Sequence, residues 1–193
     1  MAETWPGKAL LATVLRQRAR RPQLKRDSLG RRPSFGARTL KGAEAFTAME
    51  LPAFLLAAGF RQIPLSRTGV GHFQMTGQLN GRPVAVLIDT GAASSVFNLA
   101  LGHQLGLTLQ KADHQGGGAG AARLDIYFAP SADLRLGDFR PRIPSLMAVD
   151  LTHANQALAL KGQRPVDVIL GADVFDAHKA VIDYGSNSLF LRP

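Results

Sequence analysis

The stretch VAVLIDTGAASSVFN, residues 84–98, ends an apolar run on a single carboxylate, Asp89. Thr90 and Gly91 follow, and the chain then turns apolar again. A carboxylate at the end of an apolar strand costs free energy to bury unless hydrogen bonds or a function compensate for it. The pattern predicts a strand that ends in a turn, with Asp89 either accepting backbone N–H bonds there or serving in chemistry.

The segment before Asp89 predicts a β-hairpin. In FQMTGQLNGRPVAVLID, residues 73–89, apolar residues alternate on both sides of the pair Asn80-Gly81. That pair is typical of a two-residue type I′ turn, because both positions need a positive φ. Asp89 is therefore expected at the end of the second strand, where the chain turns.

The rest of the chain alternates short apolar runs with turn residues, and Asn98 is a good N-cap for a helix over 99–106. A glycine-rich loop is expected at 114–123, since it has few side chains to pack. The other predicted elements are a hairpin of 124–130 with 133–139, a helix at 152–162, a buried strand at 166–171, a helix at 172–179, and a closing hairpin of 180–184 with 189–192. This pattern predicts an all-β, β-dominated fold, a closed barrel with one or two short helices.

Charge separates the N-terminal segment from the remainder. Residues 1–42 contain eleven basic and two acidic residues, whereas residues 43–193 contain twelve of each. We interpret 1–48 as a basic, disordered extension, with Met49 a plausible start for a domain at 49–193. The alternative is an arm that makes weak contacts with anionic partners such as nucleic acid through residues 1–42.

Composition also excludes several classes of protein. The chain has no cysteine, which excludes disulfides and thiolate chemistry. No apolar run approaches the roughly 20 residues of a membrane-spanning helix, and ALLATVL at 9–15 lacks the features of a secretory signal. We therefore expect a cytoplasmic protein that does not associate with a membrane.

Other candidate sites are weaker than Asp89. The five histidines show no metal-binding spacing, so neither a metal nor another cofactor is expected. Asp173 and Asp176 suit structural roles in the helix at 172–179. Asp183, in VIDYG, is not favoured as a second catalytic acid within the chain. A phosphate cradle at 118–123 is also not favoured, since no apolar strand precedes it and no helix follows.

Taken together, VLIDTGAASS, the glycine-rich loop, VILGAD and AVIDYGSNSLFL resemble the retropepsin-like, single-domain aspartic proteases over residues 61–193. The resemblance implies a proteolytic site in which two aspartates share one proton around a water. The chain has one such Asp-Thr-Gly triplet, so the resemblance implies that Asp89 from each copy of a two-fold homodimer supplies the pair.

The resemblance also implies roles for neighbouring residues. Thr90 would bond across the two-fold axis, Gly91 would bring its amide close to the acids, and Ala92 would fit beneath the site. The flap over a bound polypeptide would contain Gly116, Gly117, Gly118 and Gly120. VIDYG would be a structural strand, which is why Asp183 is set aside.

Two functions from different classes remain open at this point. The first is an aspartic endopeptidase that binds an extended polypeptide beneath the flap. The second is a binding or assembly module on the same fold with weak or no turnover. A chain that stayed monomeric would hold one carboxylate per site and would favour the second function.

Overall fold

Short strands are the main regular elements of the structure, a computed structural model that describes residues 50–118, 121–143 and 146–193. The predicted extension at 1–48 lies outside the described residues. The elements in chain order are α1 (Leu51–Ala57), β1 (Arg61–Pro64), β2 (Ser66–Arg67), β3 (Phe73–Leu79), β4 (Arg82–Ile88), β5 (Val96–Asn98), α2 (Leu99–Gln104), β6 (Gln110–Gly118), β7 (Ala121–Phe128), β8 (Leu134–Arg135), β9 (Met147–Val149), α3 (Thr152–Ala159), β10 (Val168–Leu170), α4 (Ala172–Ala177), β11 (Val181–Asp183) and β12 (Ser188–Leu191). The prediction of a β-dominated chain with few short helices is confirmed.

The predicted hairpin around Asn80-Gly81 is confirmed. Strands β3 and β4 pair antiparallel, with φ of 48° at Asn80 and 80° at Gly81. Both values match the type I′ turn that this dipeptide favours. At the other end of the hairpin Phe73 lies opposite Ile88, so Asp89 begins just beyond the last paired residue.

The hairpin belongs to a nine-stranded sheet in the order β2-β3-β4-β10-β5-β9-β7-β6, with β8 also paired to β3. Strand β10 runs parallel to β4, with Leu170 opposite Ile88. Two parallel strands end at the same edge, so the turns that follow Ile88 and Leu170 are neighbours. This pairing places the segment after residue 170 against the Asp89 turn.

The predicted closed barrel is not seen among the described residues, because the sheet runs from β2 at one end to β6 at the other. Strand β2 has two residues and pairs with β3, and β6 pairs with β7. A barrel needs its terminal strands to pair with each other. The architecture is therefore an open sheet with a second, three-stranded sheet of order β1-β12-β11.

The closing hairpin of that second sheet is confirmed by the antiparallel pairing of β11 with β12. Strand β12 is buried along its whole length, since β1 pairs with its other edge. Its Leu189, Phe190 and Leu191 have no exposed surface. The pairing of β1 with this buried strand thus attaches the segment 51–64 to the C-terminal part of the chain.

The hairpin predicted for 124–130 with 133–139 is wrong. Strand β7 pairs with β6 and β9, whereas β8 pairs with β3. Polar cross-strand contacts favour the observed pairing, with Lys111 Nζ 2.7 Å from Asp125 Oδ2 and Gln115 Nε2 2.9 Å from Asp125 Oδ1. The glycine-rich segment is therefore a strand at least as far as Gly118.

The three helices predicted from the sequence are present in the structure. Asn98 caps α2, since its Oδ1 accepts from the Ala100 amide at 3.2 Å, and this predicted cap is confirmed. The helices predicted at 152–162 and 172–179 are confirmed as α3 and α4. In the three described ranges, no helix combines the length and apolar character needed to cross a bilayer.

Candidate active site

Asp89 lies in a tight turn at the end of β4 and is partly buried. Its amide donates to the Leu170 carbonyl at 3.0 Å, which fixes the start of the turn against β10. The Gly91 amide donates to Asp89 Oδ1 at 2.9 Å. The carboxylate thus takes part in an Asx-type turn and still keeps exposed surface, so the two roles considered for it are compatible.

The segment after β10 holds this turn from behind. The Ala172 amide donates to the Ala92 carbonyl at 2.8 Å. A Cβ at Gly171 would lie 2.8 Å from the Ala92 oxygen and 2.8 Å from the Ser94 carbonyl carbon. Only glycine allows the two backbones to approach this closely, which gives the Ile-Leu-Gly segment a physical role in positioning Asp89.

A buried hydrogen-bond network completes the support. Ser95, which is 1% exposed, accepts from the Gly171 amide at 2.9 Å and donates its hydroxyl to Asp173 Oδ1 at 2.7 Å. Asp173 Oδ1 also accepts from the amides of Ser95 and Val174, both at 2.9 Å. The structural role predicted for Asp173 agrees with these bonds. Ser95 was not singled out from the sequence, and the buried serine after Gly-Ala-Ala-Ser gives no local signal of its distant partner.

A cavity of about 570 Å³ opens beside Asp89. Asp89, Gly91 and Ala92 line it on one side, and Gly116 and Gly117 of β6 line it on another. The turn and the hairpin that were expected to work together thus face one space. Thr90 is exposed and is not part of the lining, Gly118 pairs with Ala121 near the end of the hairpin, and Gly120 lies outside the described residues.

Comparison with protein families shows which family this chain is similar to. A family model described as aspartyl protease matches residues 75–174, a range that runs from β3 into α4 and includes both the Asp89 turn and Gly171. The chain belongs to the aspartyl protease family. The membership predicted from the Asp-Thr-Gly and Ile-Leu-Gly motifs is thereby confirmed. No curated protein sequence matches the chain.

Solved structures similar to this aspartyl protease family member include three at low identity. The retroviral protease-like domain of Ddi1 from Leishmania major is 18% identical, with 61% of this chain and 86% of that chain covered and a TM-score of 0.43. A retropepsin-like aspartic protease from Rickettsia conorii is 17% identical, with 68% and 90% covered and a TM-score of 0.44. The EIAV protease complexed with the inhibitor HBY-793 is 23% identical, with 57% and 91% covered and a TM-score of 0.39.

Of the two glycines of β6 that line the cavity, Gly116 has a packing role. A Cβ at Gly116 would lie 3.0 Å from Ile126 Cδ1, so glycine leaves room for the isoleucine of the paired strand. A Cβ at Gly117 would meet nothing within 4 Å. The expectation of a loop at 114–123 is corrected: residues 114–118 belong to β6 and residues 121–123 belong to β7, so both parts are arms of a hairpin.

The remaining cavity wall is largely apolar and includes a helix whose position beside the cavity was not predicted from the sequence. Leu87, Val96 and Ile169 line it from the sheet, and Leu124 and Ile126 line it from β7. Helix α3 supplies a third wall. The sequence predicted this helix but gave no sign that it faces the same space as Asp89, because sequence spacing does not reveal contact with residues about 60 positions away.

Asp183 occupies a different setting from Asp89. Its carboxylate accepts from the Gly185 amide at 2.9 Å, the Ser186 amide at 3.2 Å and the Ser186 hydroxyl at 2.6 Å. The Ser186 hydroxyl and then the Gly185 amide lower the pKa of Asp183. Asp183 does not line the cavity beside Asp89, which agrees with its rejection as a partner acid.

A larger cavity, of about 890 Å³, lies between β1 and β3 and is lined in part by Arg61, Met75 and Phe139. It does not contain Asp89 or any residue of its turn. Size alone therefore does not select the candidate site. The smaller cavity combines apolar walls with a partly exposed carboxylate, and this combination is typical of a site that binds and transforms a ligand.

Proposed function

We propose that this chain is an aspartic endopeptidase that hydrolyses peptide bonds as a homodimer, with Asp89 of each copy in the reacting pair. The observation that carries the proposal is the position of Asp89. Its partly buried carboxylate lines an apolar cavity at a turn fixed by Gly171 and Ser95, in a chain of the aspartyl protease family. No cofactor is required by this chemistry.

The reaction would proceed through one water molecule held between two carboxyl groups. One Asp89, ionised, takes a proton from the water as the water oxygen attacks the scissile carbonyl carbon. The other Asp89, protonated, donates to the carbonyl oxygen, which gives a tetrahedral gem-diol. The first Asp89 then passes the proton taken from water to the amide nitrogen as the C–N bond breaks, and the second takes a proton back from the gem-diol, which leaves a carboxylic acid, an amine and one proton on the pair. Two carboxyls about 3 Å apart cannot both ionise comfortably, so they share a single proton and titrate in two separated steps.

The dimer follows from the single motif. One chain supplies one Asp-Thr-Gly triplet, and a two-fold axis places identical residues opposite each other. Thr90 supports this arrangement because it is exposed on the turn and does not line the cavity of its own chain. In the proposed dimer, its hydroxyl bonds to the other copy and keeps the two turns together.

The proposed substrate is an extended polypeptide bound beneath the β6–β7 hairpin. Within the described residues β6 ends the nine-stranded sheet, so its outer edge presents backbone groups to an added strand. Gly117 is exposed and gives the hairpin freedom near this edge. The hairpin then acts as a flap that opens for the peptide and closes to exclude water.

The first test is digestion of a diverse peptide library by the full-length chain and by Asp89→Asn. We expect the variant to keep its secondary structure and to lose cleavage by at least about 10²-fold, the contribution typical of an acid–base group. Asp176→Asn is the matched control, because Asp176 is exposed on α4 and makes the same change of acid to amide. Cleavage by Asp89→Asn at the rate of Asp176→Asn would exclude the proposal.

The second test concerns the dimer. Below the dissociation constant of the dimer, halving the protein concentration should lower the cleavage rate about fourfold, since the rate follows the dimer concentration. Sedimentation of the full-length chain over the same concentrations should show monomer and dimer in exchange, and pepstatin-type inhibitors should block cleavage. A monomer that cleaves with a rate proportional to its concentration would rule out a pair made from two copies.

A further inference from the structure

The larger cavity, of about 890 Å³, lies between β1, β3 and the turn that follows β8. It shares no lining residue with the cavity beside Asp89, so it is a separate space. Pockets that bind small molecules commonly enclose about 300–1,000 Å³. The cavity is therefore large enough for a ligand, and its lining indicates the chemical class of that ligand.

The floor of this larger cavity is apolar. Ile63, Leu65, Leu136 and Phe139 line it and are each at most 9% exposed, and Met75 beside them is half-buried. The four buried residues belong to the hydrophobic core, and Met75 packs against that core. A ligand bound here would bury apolar groups on a surface that the core already holds in place, and this burial favours aliphatic or aromatic side chains.

Two charged side chains, one of each sign, line the same cavity. Arg61 is the first residue of β1, and Asp138 lies in the turn between Leu136 and Phe139. Both are exposed, and neither forms an ion pair with another residue that the structure describes. A guanidinium and a carboxylate that stay apart above one apolar floor are complementary to a ligand that carries one charge of each sign.

Asp138 stays unpaired among the described residues although two arginines are close to it in the sequence. Arg135 and Arg140 both pair with Asp133 instead, with Nε–Oδ2 and Nε–Oδ1 distances of 3.1 Å and 2.7 Å. Asp133 therefore neutralises the basic groups on both sides of the turn. The carboxylate of Asp138 remains available to a cation that enters from the cavity.

The backbone beneath both charged residues is fixed by hydrogen bonds. Strand β1 pairs with the buried strand β12, and Arg61 lies opposite Leu191 in this pairing. In the turn that holds Asp138, the Leu136 amide donates to the Phe139 carbonyl at 2.8 Å and the Phe139 amide donates to the Leu136 carbonyl at 3.2 Å. Binding would not need to order this backbone, which lowers the cost of holding a small ligand.

We propose that this cavity binds a short free peptide of two to four residues with at least one apolar side chain. The terminal carboxylate of the peptide pairs with Arg61, and a guanidinium can hold a carboxylate through two parallel hydrogen bonds. The terminal ammonium group pairs with Asp138, and the apolar side chain packs on the floor between them. The inference does not depend on the proposed function, because the cavity contains no residue of the Asp89 turn.

The test is isothermal titration calorimetry of the full-length natural chain and of full-length Asp89→Asn. The probes are Leu-Leu, Leu-Gly-Leu and Leu-Gly-Gly-Leu, each with free ends and with acetylated and amidated ends. We expect at least one free peptide to bind both proteins with the same affinity. Capping both of its ends should weaken binding at least about tenfold, because hydrogen bonds to charged groups are lost.

Three results would overturn the inference. The first is that none of the free peptides binds, and the second is that free and capped forms bind equally well. The third is binding to the natural chain that is lost in Asp89→Asn, because such a peptide would lie in the cavity beside Asp89.

Substitution of the two charged residues then identifies where each end of the peptide lies. In Arg61→Gln, amidation of the peptide should no longer weaken binding, whereas acetylation still should. In Asp138→Asn the reverse is expected. Arg82→Gln and Asp176→Asn make the same chemical changes at exposed positions outside the cavity and should bind like the natural chain.

All four substituted positions are exposed, so the variants should keep the stability of the natural chain, which thermal unfolding measures. Capping effects that are the same in Arg61→Gln, Asp138→Asn and the two controls would overturn the assignment of the peptide ends. Triglycine tests the apolar floor and should bind at least about tenfold more weakly than Leu-Gly-Leu, since it buries no side chain. Equal affinity of these two peptides would show that the floor takes no part and would overturn the proposed ligand class.

Discussion

At the scale of single residues, Asp89 and Asp183 show how one neighbouring side chain determines whether a carboxylate stays available to a ligand. Both come directly after apolar residues of a strand, and both accept from an amide two residues later at 2.9 Å, from Gly91 and Gly185. At the third position after the acid, Ser186 adds two further bonds to Asp183, whereas Ala92 offers no hydroxyl to Asp89. The alanine leaves the first carboxylate available to a ligand.

Gly171 is the residue whose replacement should test the support of the Asp89 turn. In Gly171→Ala the new Cβ would lie 2.8 Å from the Ala92 oxygen, a backbone atom that cannot rotate away. We expect a loss of about 1–3 kcal/mol in the free energy of unfolding, as for other overpacked sites, together with reduced cleavage. Urea unfolding and peptide digestion measure the two effects.

The matched control is Gly117→Ala, where a Cβ would meet nothing within 4 Å. Its free energy of unfolding should change by no more than about 0.5 kcal/mol, as is usual for exposed positions. If Gly171→Ala proved as stable as Gly117→Ala, the close approach of the two backbones would not be needed to hold the turn.

At the scale of elements, the local signals predicted some strands well and misassigned others. Asn80-Gly81 acts through its own positive φ angles, and Asn98 acts through a bond to an amide two residues later, so the hairpin and the start of α2 could be predicted from the sequence. The segment Gly116–Gly118 has no side chains with which to indicate a strand. Its partner β7 supplies the reason for pairing through Asp125, which contacts Lys111 and Gln115. This long-range choice could not be inferred from local pattern.

The turn between β11 and β12 should make stability depend on pH through Asp183. Hydrogen bonds from Ser186 and Gly185 lower the pKa of this carboxyl below its ordinary 3.8 in the folded chain. A lowered folded pKa stabilises the protein above the unfolded value, about 3.9, and that contribution is lost as the pH falls through the folded pKa. We expect Asp183→Asn to melt at a lower temperature than the natural chain at pH 7.

The difference in melting temperature should narrow as the pH falls from about 4 through the lowered folded pKa of Asp183, because the natural chain loses the contribution of its ionised carboxylate over this range and the amide does not titrate. Thermal unfolding of the two proteins between pH 3 and pH 7 measures it. Asp176→Asn, on the exposed surface of α4, should show no such trend. If the difference in melting temperature between the natural chain and Asp183→Asn stayed constant over this pH range, ionisation of Asp183 would not be the cause of the difference.

At the scale of the whole molecule, the buried side chain of His178 joins the loop before β9 to the residue after β12. His178 is 1% exposed, and its Nε2 accepts from the Arg142 amide at 2.8 Å. Because Nε2 accepts, the ring proton is on Nδ1, which donates to the Arg192 carbonyl at 2.6 Å. One neutral ring thus satisfies backbone groups of the loop before β9 and of the C-terminus.

His178→Leu should leave both backbone groups without a partner in a buried setting. The expected cost is about 1–3 kcal/mol for each unsatisfied group, measured by urea unfolding. His103→Leu, which changes an exposed histidine of α2, is the control and should have little effect. Equal stability of the two variants would show that water replaces the ring at both bonds.

The sequence predicted the family and the position of Asp89 because two motifs carry strong local constraints. It could not predict that the sheet stays open, since closure depends on the terminal strands β2 and β6 and on no local motif. The same limit applies to Ser95 and to α3, whose roles depend on Asp173 and on the cavity. Residues that act on near neighbours are legible in the sequence, and those that act on distant ones require the structure.

The fastening of the Asp89 turn by residues 170–173 has a consequence for synthesis on the ribosome. When only the first strands have left the exit tunnel, the nascent chain outside the ribosome contains Asp89. It still lacks Leu170, Gly171 and Asp173, which hold the Asp89 turn in place. With the proposed chemistry, hydrolytic activity arises only after residues 170–173 have been synthesised and have left the ribosome. Because residues 170–173 follow Asp89 in the sequence, an incomplete chain would not hydrolyse cellular proteins or the growing polypeptide.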